Sequence, residues 1–104
     1  MLLRIAIVDD VPQDADRLQQ ALTAEGQTNI TRYASGDELL AAVNPEQLDA
    51  LFLDICMEGT NGIDTARKLR EQAPALSIVF VTSSQEYVWQ SFPVHPFDYL
   101  LKPF

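Results

Sequence analysis

Four apolar runs in this chain each lead into residues that do not belong in a core. LRIAIV (3–8) is followed by Asp9 and Asp10, ALFL (50–53) by Asp54, SIVFV (77–81) by Thr82, and DYLL (98–101) by Lys102. A carboxylate buried without a partner is costly, because desolvation penalises its charged form. Brought to one place, three carboxylates, a hydroxyl and an ammonium make chemical sense together. Two like charges about 4 Å apart repel by roughly 4 kcal/mol at an effective dielectric near 20, so the aspartates require a cation. Hard oxygen donors point to magnesium, which favours one or two carboxylates, waters and phosphate oxygens. Thr82 and Lys102 then suit an anion beside the metal, most simply a phosphoryl group. Asp54 is the candidate nucleophile, since a carboxylate can form an aspartyl phosphate.

The elements that must position these groups follow from pattern. Runs of Ile, Val, Leu and Phe without strict alternation suit strands covered on both faces. They occur at LRIAIV (3–8), ALFL (50–53) and SIVFV (77–81), with NITRY (29–33) and DYLL (98–101) as weaker, edge-like strands. Between them, Pro12 to Glu25 places Ala15, Leu18 and Leu22 on one helical face, and Gly26 supplies the stop. A second helix opens at SGDE, where Ser35 and Glu38 have capping-box spacing, and ends before Pro45. The third runs from about Asn61, its cap, to Ala73, with Ile63, Ala66 and Leu69 inward, Asp64 and Lys68 pairable, and Pro74 as terminator. A short fourth fits QEYVWQSF (85–92), where Tyr87 and Trp89 suit either core or a partner surface. The alternation implies right-handed crossovers and an α/β, doubly wound parallel sheet. Ligands of such sheets sit at the strands' carboxyl ends.

Length and composition set bounds. One domain spans residues 1–104, without repeat or linker. The formal net charge of −8 and seven Lys and Arg, scattered apart from ARKLR at 66–70, argue against direct nucleic-acid binding by this segment. The apolar opening is far shorter than the roughly 20 residues of a membrane span. The single cysteine, Cys56, cannot close an intrachain disulfide, which suits a cytoplasmic protein.

An acidic pair after the first strand, a lone aspartate after the third, threonine after the fourth and KPF after the fifth resemble the receiver domain of bacterial two-component response regulators. NGIDTARKLR and SFPVHPFDYLLKPF look most like receivers of LytTR-type regulators. The resemblance covers the whole chain. It implies a CheY-like, flavodoxin-like five-stranded sheet of order 2-1-3-4-5, here lacking the fifth helix. It further implies that Asp54 is the phosphoacceptor and Asp10 a direct Mg2+ ligand, with Asp9 acting more through water and the Cys56 backbone carbonyl completing the protein's metal contacts. Lys102 would pair with the phosphoryl group, Thr82 would hydrogen-bond it, and Tyr99 would be the switch aromatic. A sensor histidine kinase would be the donor, and an attached DNA-binding output domain the target. Such a domain is a signalling unit that assists its own phosphorylation and dephosphorylation, rather than an enzyme with a separate substrate.

Departures from that pattern carry expectations of their own. Glu58 stands where the family usually has proline, which should loosen the loop and tune magnesium affinity or phosphoryl lifetime. Val11 replaces a further acid, and Ser84 and Cys56 occupy positions that influence hydrolysis. The ending at Phe104, before a fifth helix, suggests truncation and an apolar patch that favours self-association. Taken singly, Asp9 and Asp10 could cap the first helix and Asp54 could be a loop acid; their joint occurrence at strand ends favours a site. His95, between two prolines, carries no assigned chemistry. A haloacid-dehalogenase-type phosphatase would need a second aspartate where Cys56 stands. A flavin or nucleotide binder would need a phosphate-cradling turn where Asp9 and Asp10 stand. The runner-up is a phosphorylation-independent, receiver-like interaction module.

Overall fold

The computed structural model describes residues 2–54, 56–57, 60–82 and 98–101, with the backbone alone at 56–57, 60–64, 82 and 98–101. In chain order the elements are β1 (Ile5–Val8), α1 (Pro12–Ala24), β2 (Ile30–Tyr33), α2 (Gly36–Ala42), a 3-10 turn (Pro45–Gln47), β3 (Ala50–Asp54), β4 (Cys56–Met57), β5 (Thr60–Asn61), α3 (Gly62–Gln72), β6 (Ser77–Thr82) and β7 (Asp98–Leu101). Five strands form one parallel sheet in the order β2-β1-β3-β6-β7, as expected of a doubly wound plan. The expected fourth helix (85–92), with Tyr87 and Trp89, lies outside the described residues, as do Ser84 and His95.

The pleat sorts each strand's side chains between two layers. Ala6, Val8, Leu51, Leu53, Ile78 and Phe80 face a large cluster with Leu39 of α2 and with Ala66 and Leu69 of α3. Ile7 and Val81 face a smaller cluster with Ala15 and Leu18 of α1, against which Phe52 packs partly buried. The three central strands are thus apolar on both faces. At about 1.5–3 kcal/mol for each fully buried large apolar side chain, these two layers are the main favourable term fixing the sheet.

The helix ends follow the sequence signals, with refinements. Gly26, at φ 89°, completes a Schellman closure of α1: its N–H donates to the Thr23 carbonyl and the Gln27 N–H to the Leu22 carbonyl, both at 3.0 Å. At α2 the Ser35 Oγ accepts from the Glu38 N–H at 3.1 Å. The Glu38 carboxylate reaches past Ser35 and accepts instead from the Ala34 N–H at 2.6 Å. Asn61 directly precedes α3, at the expected cap position, and is also the last residue of β5, so a two-stranded hairpin intervenes between Asp54 and α3. After α3, Arg70 donates to the Pro74 and Leu76 carbonyls at 3.0 and 2.6 Å, closing the turn into β6. Partial burial lowers the pKa of that guanidinium.

At the opposite end of the sheet from the acids, Asp49 accepts from the Arg4 N–H at 2.8 Å and from its Nε and Nη2 at 3.2 and 3.3 Å. The hydrogen bond to Arg4 is the main cause of a lowered Asp49 pKa. This surface pair ties the start of β1 to the segment that enters β3.

Candidate metal and phosphoacceptor site

Register decides which residues meet. In the parallel pairing of β1 with β3, Val8 lies opposite Leu53, so Asp9 and Asp54, one residue further on, come level at the carboxyl edge. Asp54 in turn lies opposite Val81 of β6, which places Thr82 one position beyond it. Thr82 pairs with Leu101 of β7, the residue before Lys102 in the chain. Lys102 itself lies outside the described residues. Tyr99 is in β7 opposite Phe80, and Cys56 opens β4 two residues after Asp54.

One carboxylate oxygen from each of Asp9, Asp10 and Asp54 lies within 4.8 Å of the others. Asp54 and Asp9 are buried, at 3% and 8% exposure, while Asp10 is open to solvent. In an octahedral site with bonds of about 2.1 Å, adjacent oxygens stand roughly 3.0 Å apart and opposite ones roughly 4.2 Å, so these oxygens are near enough to share one ion directly or through its waters. Two shielded carboxylates and one exposed one, all oxygen donors, make a donor set that fits a hard divalent cation.

Backbone groups hold Asp9 in place. Its N–H donates to the Tyr33 carbonyl at 3.1 Å, the rung following the last β1–β2 pair. Its Oδ1 accepts from the Val11 N–H at 2.9 Å. Val11 occupies the N-cap position of α1 and Pro12 the first helical position, so the acids precede the helix instead of capping it. Neither the Tyr33 carbonyl nor the Val11 amide has a signature in sequence, because every residue type carries a carbonyl and nearly all carry the amide.

Glu58, at the family's usual proline position, lies outside the described residues. A surface hollow of about 560 Å³ runs along α1 beside Asp16, Gln19 and Thr23. It is separate from the acids, which sit at the sheet edge, and it gathers no cluster of acid–base groups.

Comparison with known proteins agrees with this geometry. The model of the response regulator receiver domain matches residues 5–104. The chain belongs to the response regulator receiver family. It is 39% identical over 103 residues to an uncharacterized response regulatory protein of Yersinia pestis, covering 98% of this chain and 43% of that protein. It is 33% identical over 104 residues to the sensory transduction protein LytT of Bacillus subtilis, covering 99% of this chain and 43% of LytT. Among solved structures, response regulator TrrA of Thermotoga maritima, in complex with Mg2+-BeF, superposes with a TM-score of 0.87 at 29% identity, covering 98% of this chain and 88% of that one. This receiver therefore spans less than half the length of the curated relatives it matches. Membership carries phospho-accepting two-component signalling as the family's role, and places LytT-type regulators among its relatives. No helix among the described residues is long and apolar enough to cross a membrane.

Proposed function

We propose that Asp54 accepts a phosphoryl group from a sensor histidine kinase and that the resulting change in surface controls an attached output domain, a DNA-binding one in keeping with relatives named as transcriptional regulatory proteins. The observation that carries this reading is the convergence of Asp9, Asp10 and Asp54 within 4.8 Å at the carboxyl edge of the sheet. Their carboxylates, with the Cys56 backbone carbonyl, would hold Mg2+, Asp9 acting more through water. When bound, the ion neutralises the clustered charge and draws in phosphoryl oxygens.

An Asp54 carboxylate oxygen attacks phosphorus; the new P–O bond forms as the P–N bond to the kinase imidazole breaks, and that nitrogen keeps the electron pair and takes up a proton. Lys102 pairs with the transferred group, the Thr82 hydroxyl donates to it, and Tyr99 responds to the Thr82 shift. One charge-assisted hydrogen bond contributes about 1.5–3 kcal/mol, whereas moving a switch from 1:99 to 99:1 needs about 5.5 kcal/mol, so Thr82 and Lys102 share the bias with metal contacts. Pairing of two receivers is the output step that this surface change would control.

The test is incubation with Mg2+ and a small phosphodonor, followed by intact mass. Addition of one phosphoryl group to the wild type and none to Asp54→Asn supports the reading. No addition to either, under conditions in which Mg2+ binds, overturns it in favour of a phosphorylation-independent interaction module.

A further inference from the structure

We propose that Glu38, on α2, is a positioning residue for the acid cluster, acting through the β2–α2 turn on Asp9; the inference rests on the metal-binding part of the reading above. The path is continuous. The Asp9 N–H donates to the Tyr33 carbonyl at 3.1 Å. The adjoining residue in the chain, Ala34, donates its N–H to the Glu38 carboxylate at 2.6 Å. Glu38 is itself fixed from the helix side, where its N–H donates to the Ser35 Oγ.

A capping box would return the carboxylate to the N–H of Ser35. Here it lands one residue closer to β2, on the peptide that links Tyr33 to the turn. A short, charge-assisted bond at that place restrains the peptide plane that carries the Tyr33 carbonyl. Asp9 is held at its amide by the Tyr33 carbonyl, the last rung between β1 and β2, and at its carboxylate by the Val11 N–H; Glu38 acts on the first of these. The turn is also braced from α3, since Gly36 is packed so closely on Thr65 that no side chain would fit between them.

Outer partners that orient a metal ligand govern affinity as well as stability, and Glu38 stands one link further out than such a partner. The 104-residue chain is titrated with Mg2+ by calorimetry as wild type, Glu38→Ala, Glu38→Gln and Asn44→Ala. Asn44 caps the 3-10 turn through the Glu46 N–H, remote from the acids, and serves as the matched loss of a cap. The expected result is a Kd raised about three- to tenfold in Glu38→Ala, within about twofold of wild type in Glu38→Gln, and unchanged in Asn44→Ala. Amide exchange of Asp9 in the metal-free protein is expected to quicken in Glu38→Ala only. A Glu38→Ala Kd equal to wild type, or shifted no more than that of Asn44→Ala, overturns the inference. A wild type that binds no Mg2+ overturns it together with the metal reading, whereas Mg2+ binding without phosphoryl transfer overturns only the acceptor role.

Discussion

At the scale of single residues, the acid cluster gathers like charge in a small space among the described residues. Two like charges within 4.8 Å of each other repel by at least about 3 kcal/mol at an effective dielectric of 20, and two of the three acids are shielded from water. Removing one charge should therefore stabilise the metal-free fold while weakening the ion's site. Asp54→Asn is expected to raise the unfolding free energy without Mg2+ by on the order of 1 kcal/mol, measured in urea, and to weaken Mg2+ binding at least about tenfold. The Arg4–Asp49 pair makes a prediction of opposite sense. Its pKa is depressed on folding, so its contribution is fully present above the unfolded aspartate value near 3.9 and is lost as pH falls through the lower folded value. Stability curves of wild type and Asp49→Asn should run parallel from neutral pH down to that upper bound, then converge in acid. A constant gap throughout would show that the pair's charge is not what matters.

Two glycines show how different constraints act at the scale of elements. Gly26 has a left-handed backbone at the end of α1 with nothing within 4 Å of where a Cβ would stand. Gly26→Ala should cost about 1 kcal/mol from backbone conformation alone. Gly36 has ordinary torsions in α2, but an added Cβ would stand 2.5 Å from both the Cγ2 and Oγ1 of Thr65. Gly36→Ala should cost about 1–3 kcal/mol by overpacking, and Thr65→Ala should relieve most of it. A double-mutant cycle measures that coupling in denaturant; additive effects would mean that the helices separate freely.

For the whole molecule, the net charge of −8 and the single strand edge that gathers acids make stability dependent on cations. A ligand at ten times its Kd stabilises the native state by about 1.4 kcal/mol, which for a domain of this size is several degrees in Tm. Mg2+ should raise the wild-type Tm by that amount at matched ionic strength, and Asp54→Asn should lose most of the gain. An equal rise in both would mark general screening in place of a site.

Five strand runs, the first three helices, the stops at Gly26 and Pro74, and the places of Asp9, Asp10, Asp54 and Thr82 at strand ends were legible from sequence because hydrophobic period and turn chemistry are local. The runs at 50–53 and 77–81 each extend one residue further, to Asp54 and Thr82, since the ladder continues while a neighbour offers backbone groups. Tertiary structure alone decided that Val8 pairs with Leu53, which brings Asp9 level with Asp54. It also decided that Glu38 turns to Ala34, that Gly36 meets Thr65, and that a hairpin follows Asp54. Those outcomes depend on how segments far apart in the chain slide against one another, and that register is set by the packing of two whole layers rather than by any one stretch of residues.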